Sequence, residues 1–108
     1  MIERVQRIAV AGTEGRMLNC PVPGRGFLKT LFSCPNATAS NYVGICPGAT
    51  YDSRNALFLG STPIVIDFSD DPKSPATYSI KGYGSTDKYL TVFVEKYGSN
   101  PIDETATT

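Results

Sequence analysis

The sequence predicts an all-β protein, a single β-sandwich or jelly-roll-like barrel of seven to eight short antiparallel strands. Short extended runs are separated at close intervals by glycine, proline and asparagine, a spacing typical of sandwiches and barrels. In the clearest runs, apolar residues recur at every second position, which is the period of a strand. Of the 108 residues, 41% are hydrophobic, which is enough to build one thin core.

Eight extended runs can be traced along the chain. Each is bounded by turn-forming residues, and no stretch between them is long enough to nucleate a helix well. The runs are Arg4–Val10, Arg16–Cys20, Gly26–Ser33, Asn41–Cys46, Ala56–Leu59, Thr62–Phe68, Ala76–Lys81 and Lys88–Lys96.

The first two runs end at turn sequences, AGTEG at residues 11–15 and PVPG at residues 21–24. In the third run, alternation places Leu28, Thr30 and Phe32 on one face. It places Phe27 and Leu31 on the opposite face. Because both faces are partly apolar, the third run is predicted to be a central strand or to lie at an interface.

The later runs alternate more clearly. Ile64, Ile66 and Phe68 are predicted to point inward from the sixth run, and Tyr78 and Ile80 from the seventh. In the last run one face carries the core residues Leu90, Val92 and Val94, and the other face carries Tyr89, Thr91, Phe93, Glu95 and Tyr97.

The runs are predicted to form one β-sandwich domain over residues 1–97. Within it, residues 1–20 supply either edge strands or an N-terminal arm. Residues 98–108 are predicted to be a polar C-terminal tail, because they are rich in threonine and contain Pro101.

Charge and hydropathy exclude several classes of partner. Ten basic and ten acidic residues cancel, so no excess charge points to nucleic acid or to an anionic membrane. No apolar run approaches the roughly 18 residues of a transmembrane helix. The mixed charges at the N-terminus are unlike a signal peptide, so we expect synthesis in a cytoplasm.

The three cysteines, Cys20, Cys34 and Cys46, are an odd number, and each precedes a proline. They are interpreted as three reduced thiols, with a disulfide within or between chains as the alternative. Metal binding is not favoured, because the chain has no CxxC spacing and no histidine.

The sequence offers little for catalysis, and we expect no enzyme activity and no cofactor. Without histidine, the usual general base is missing. Asp67, Asp70 and Asp71 are the candidate carboxylates for an acid–base pair or a calcium site. They lie in DFSDDP, which is interpreted instead as a solvated turn.

The aromatic residues predicted to point outward are more informative. They have three interpretations: one layer of the sandwich, a contact between subunits, or a platform on which sugars stack. The candidate subunit-contact residues are Phe27, Leu31, Tyr89, Phe93 and Tyr97.

Several segments together resemble a known family. They are RGFLKTLF at residues 25–32, PNAT at 35–38, NYVG at 41–44, PIVID at 63–67, YSIKGYG at 78–84 and YLTVFV at 89–94. Their order resembles the small β-sandwich virion proteins of tailed bacteriophages, in particular capsid decoration (cement) proteins.

The resemblance implies a structural protein that sits on the outside of a phage head and bridges capsid subunits. Its implied partners are the major capsid protein and further copies of itself, as a trimer, and its implied location is the virion. On an oxidising virion surface, disulfides between chains could lock the shell. Two alternatives stay open: a tail, baseplate or fibre component, and a free bacterial module that binds carbohydrate or protein.

Overall fold

A computed structural model describes residues 1–70 and 74–99 of the chain. These residues form eight strands and no helix, so none of their segments is a helix able to span a membrane. The strands are β1 (Arg4–Val10), β2 (Gly15–Asn19), β3 (Arg25–Ser33), β4 (Tyr42–Pro47), β5 (Leu57–Leu59), β6 (Ile64–Asp67), β7 (Thr77–Tyr83) and β8 (Lys88–Ser99).

The strands form two antiparallel sheets of four strands that pack face to face. The first sheet has the order β1-β8-β3-β6, and the second has the order β2-β7-β4-β5. Pairs β1–β8, β2–β7, β3–β6 and β4–β5 are nested, so the chain is one long hairpin rolled up on itself. This arrangement is that of an eight-stranded jelly roll, and it confirms the predicted fold class.

The core lies between the sheets and is built from the inward faces of both. Its largest members are Phe27, Phe32 and Tyr78, none more than 1% exposed. The Tyr78 ring packs on both phenylalanines, with centroids 5.0 and 5.2 Å apart. Burying one such ring stabilises the fold by about 1.5–3 kcal/mol. The predicted inward residues of β7 and β8 also lie in this core: Tyr78, Ile80, Leu90, Val92 and Val94.

The predicted limits of the strands are close to those observed. Strand β1 has the predicted bounds, and β1 and β2 are edge strands of their sheets. Strand β8 continues through Ser99, because Gly98 and Ser99 pair with Gly26 and Arg25 of β3. Gly98 and Ser99, the first two residues of the predicted tail, thus belong to β8, and the rest of that tail, 100–108, lies outside the described residues.

The facing of Phe27 and Tyr97 was predicted wrongly. The register between β3 and β8 shifts twice, between Phe27 and Lys29 and again between Lys29 and Thr30. Such irregularities interrupt the period of two. Phe27 therefore faces the core, and Tyr97 packs against it with ring centroids 5.7 Å apart.

Leu28 is displaced in the same way. It was predicted to share the core face with Thr30, but it is only half-buried and lies over Gly98. A Cβ atom at position 98 would meet the Leu28 side chain, so a larger residue there would require Leu28 to move. Because of the paired irregularity, Phe27 occupies the core position that the alternation had assigned to Leu28.

Candidate functional site

A row of four apolar side chains crosses the outer face of the first sheet, the face that points away from the core. In register, Val5 lies opposite Phe93, Phe93 opposite Leu31, and Leu31 opposite Val65. The row therefore includes one residue from every strand of the sheet. We call Val5, Phe93, Leu31 and Val65 the outer row.

The two ends of the outer row are open to solvent. Val5 is 53% and Val65 is 49% exposed, while Leu31 and Phe93 are half-buried by their neighbours. Tyr89, on the same face of β8, is 59% exposed. It borders a groove of about 550 Å³, whose other lining residues include Arg7, Pro35 and Thr91. Apolar surface thus continues from the row toward this end of the sheet.

Charged residues flank the outer row on both sides. Arg7 lies two residues beyond Val5 on β1, opposite Thr91. On the other side, Lys29 forms an ion pair with Glu95 at 3.2 Å, and Asp67 lies opposite Lys29. An apolar strip edged by charge is the usual anatomy of a protein-binding surface.

Asp67 belongs to a turn, as its sequence context predicts. Its carboxylate accepts a hydrogen bond from the backbone N–H of Ser69 at 2.8 Å. Hydrogen bonds from Ser69 lower the pKa of Asp67, and Lys29 and Lys96 lower it further. Asp70 follows in the same turn, and Asp71 lies outside the described residues. Among residues 1–70 and 74–99, no group of three potential ligands could hold a metal ion.

A second group of aromatic rings, half-buried apart from the exposed Phe58, lies on the outer face of the second sheet, and the sequence did not predict it. The rings of Tyr42 and Tyr83 stack with centroids 5.0 Å apart and an angle of 13°. Phe58 meets both edge-on, at 6.0 and 5.7 Å, and is 52% exposed. Lys81 lies with its ammonium 5.6 Å from the Tyr83 centroid. We call Tyr42, Tyr51, Phe58 and Tyr83 the aromatic cluster.

Tyr51 reaches the aromatic cluster from the connection between β4 and β5. Its hydroxyl lies over Gly44, where any Cβ atom would collide with it. The Tyr51 and Tyr83 hydroxyls share a hydrogen bond of 2.8 Å. Burial and this hydrogen bond raise the pKa of Tyr51 well above its usual value. Gly44 therefore creates the space that lets this connection close over the sheet.

A groove of about 440 Å³ begins at Phe58 and runs between two loops. Its walls include the apolar Ala37 and Ile64. Hydroxyl groups from Thr38, Ser61 and Thr62 also line it, and no charged residue does so. This combination of an exposed ring with neutral hydroxyls can accommodate an uncharged polar ligand.

The predicted contact residues are thus divided between surface and core. Leu31, Tyr89 and Phe93 lie on the outer face of the first sheet, as predicted. Phe27, which is 1% exposed, and Tyr97, which packs on the core, are excluded from that face. Alternation could have revealed the exposed ends of the outer row, since Val5 and Val65 occupy outward positions in their strands.

The three cysteines are free thiols, so the disulfide within the chain is absent. Cys34 and Cys46 are buried, and Cys20 is half-buried against the core. Burial raises the pKa of the Cys34 thiol, because a thiolate there would lose its hydration.

Comparisons with protein-family models, with curated proteins and with solved structures found no match to this chain.

Proposed function

We propose that this protein is a structural component of a virion, a decoration protein that packs the outer face of its first sheet against the exterior of a phage head. The observation that carries the proposal is the outer row, in which one apolar residue from each of four strands forms a continuous strip that is exposed at both ends and half-buried between them. Its binding partner would be the major capsid protein, and its role would be mechanical rather than catalytic.

The fold and the composition support this proposal. Eight-stranded jelly rolls are common in viral capsid proteins and in lectins, although a fold by itself does not define a function. A rigid sheet presents its side chains without the entropy cost of ordering a loop, which favours binding through a sheet face. A net charge of zero adds no long-range repulsion from a shell of either sign.

The experiment uses heads of the phage that encodes the protein, purified from a mutant that lacks it. After mixing, we expect the protein to sediment with the heads and to raise the temperature at which they release DNA. The double variant Val5→Lys, Val65→Lys should bind at least about tenfold more weakly, because two charges would be desolvated. A protein that stays in the supernatant would contradict the proposal.

Met17→Lys is the matched control for this experiment. Met17 is 53% exposed, like Val5, but it lies on β2 in the second sheet. We expect Met17→Lys to bind heads as the natural protein does. Equal loss of binding in the control would show that the outer row is not the contact surface.

Disulfides between chains are part of the proposal only at Cys20. It is the least buried of the three thiols, whereas Cys34 and Cys46 are enclosed. Non-reducing electrophoresis of purified particles should show a dimer band that Cys20→Ser removes. If the gel shows only monomer, no disulfide joins the chains in the particle.

A carbohydrate-binding module is the second candidate, and the groove beside Phe58 favours it. An exposed ring next to three neutral hydroxyl-bearing residues suits a sugar. A glycan array probed with the natural protein and with Phe58→Ala tests this candidate. Binding that disappears in Phe58→Ala would support the module, and an array without signal would exclude it for the glycans displayed.

A further inference from the structure

The charged residues on one side of the outer row are opposite in sign to those on the other side at β1. Arg7 lies on one side of the row, next to Val5 on β1. Glu3 lies on the other side of Val5, just before β1, where its N–H donates a hydrogen bond to the Val94 carbonyl, and Glu95 lies beyond Phe93 on β8. At β1, therefore, one side of the row is basic and the other is acidic; farther along the acidic side, Lys29 is ion-paired with Glu95.

We propose that the outer face of the first sheet also pairs with the same face of a second copy, about a two-fold axis that runs along the outer row. This inference rests on the proposed function, since it assigns a second partner to the same surface. In such a pair each outer-row residue meets its own counterpart. Arg7 of each copy then lies over the acidic Glu3 and Glu95 of the other.

The charges select this axis over the other two-fold arrangement. Two aligned sheets can also be related by an axis along the strands. That axis would place Val5 over Val65 and Lys29 over Glu95, but it would also place Glu3 over Asp67, so two carboxylates would face each other at each end of the row. Like charges at an interface cost several kcal/mol, whereas the axis along the row pairs opposite charges.

The size of the face limits the strength of the pair. Four strands about 4.8 Å apart and seven residues of about 3.4 Å each give a projected area of about 450 Å². A standard interface buries about 800 Å² on each partner. We therefore expect a dissociation constant in the micromolar range, weak enough for a larger capsid surface to displace the second copy.

Sedimentation equilibrium between about 1 µM and about 1 mM tests the pairing. We expect the mass to rise with concentration from 11.6 kDa to twice that value and no further. A monomer throughout, or a rise to three copies as the family resemblance implies, would overturn the inference. Either result leaves head binding intact, so the two proposals fail separately.

Exchanging the charges of Arg7 and Glu3 tests whether the two-fold axis runs along the outer row. Arg7→Glu alone and Glu3→Arg alone should each raise the dissociation constant by about tenfold, because each places like charges together. The double variant Arg7→Glu, Glu3→Arg should recover to within about threefold of the natural protein. Because Glu3 also accepts a hydrogen bond from the Tyr97 N–H at 2.6 Å, near-ultraviolet circular dichroism must show that each variant is folded.

Met17→Glu, at the position of the earlier lysine control, is the matched control on the opposite sheet. It should dimerise like the natural protein, because its side chain lies outside the proposed contact. A double variant that stays as weak as the single variants would rule out the axis along the row.

Discussion

The ammonium group of Lys88 donates a hydrogen bond to the backbone carbonyl of Gly12, 2.5 Å away and 76 residues earlier in the chain. The same ammonium also bonds the carbonyls of Thr86 at 2.7 Å and Gly84 at 3.3 Å. Lys88 is fully buried, and all three of its donors are satisfied by backbone oxygens. It thereby fastens the turn after β1 to the loop before β8.

Replacing Lys88 with methionine should destabilise the protein more than most core substitutions. The change keeps the aliphatic stem but leaves three carbonyls without their shared donor, so we expect a loss of about 3 kcal/mol in the free energy of unfolding. Urea denaturation measures it. Lys96→Met, at an exposed site, should change stability by less than about 0.5 kcal/mol. A loss below about 1 kcal/mol for Lys88→Met would contradict this role.

Gly44→Ala should displace the connection that carries Tyr51. The new methyl group would collide with the Tyr51 hydroxyl, so the Tyr51–Tyr83 hydrogen bond must break. We expect a loss of about 1–3 kcal/mol in stability and a weaker near-ultraviolet dichroism from the tyrosines. Gly60→Ala is the control, because space is open at Gly60. If both variants behave alike, the collision at Gly44 is unimportant.

Stability should fall in alkali because Tyr78 is buried. Burial raises the pKa of Tyr78 far above its usual value, and the nearby Thr30 hydroxyl offsets this rise only in part. An unfolded tyrosine ionises near pH 10, so the contribution of Tyr78 is constant below about pH 10 and is lost as the pH rises above it.

Tyr78→Phe tests the alkaline effect. The Tyr78 hydroxyl has no well-formed hydrogen bond among the described residues, so its removal should cost less than about 1 kcal/mol at pH 7. Unfolding of both proteins is compared between about pH 8 and about pH 12. The variant should lose stability less steeply, and identical slopes would count against Tyr78 as the source.

Thiol reagents should distinguish the three cysteines. Cys20 is partly accessible, whereas Cys34 and Cys46 are buried and the pKa of Cys34 is raised by burial. A colorimetric disulfide reagent should therefore modify one thiol quickly in the folded protein and all three in denaturant. Cys20→Ser should abolish the fast phase. A fast phase that persists in Cys20→Ser would show that a buried thiol becomes accessible.

The alternation of apolar residues was sufficient to predict the fold class and most of the core. It worked because six of the eight strands, all but β3 and β8, keep a regular period of two over their length or are too short to lose it. It even places Lys88 on the core side, since Lys88 is two residues before Leu90. The three hydrogen bonds of the Lys88 ammonium could not be predicted, because the carbonyls that accept them come from two turns that become neighbours only in the folded chain.

The candidate sites were predicted less well, for reasons of geometry. The paired irregularity of β3 and β8 leaves no trace in a pattern of hydrophobic residues, so Phe27 and Tyr97 were placed on the wrong face. The aromatic cluster joins residues from three strands and one connection. Its members become neighbours only through the strand order β7-β4-β5, which no local pattern contains.

The nested pairing also has a consequence for synthesis. All six strand pairs of the described residues join one of β1–β4 to one of β5–β8. Until a ribosome has made β5, the first four strands therefore have no partner, and neither sheet can begin to form. Pairing can start at β4 and β5, where the intervening loop is shortest, and can end only when β8 inserts between β1 and β3. Strand β1, whose one partner is β8, must wait longest, so its edge is open to a chaperone or to another chain until synthesis is nearly finished.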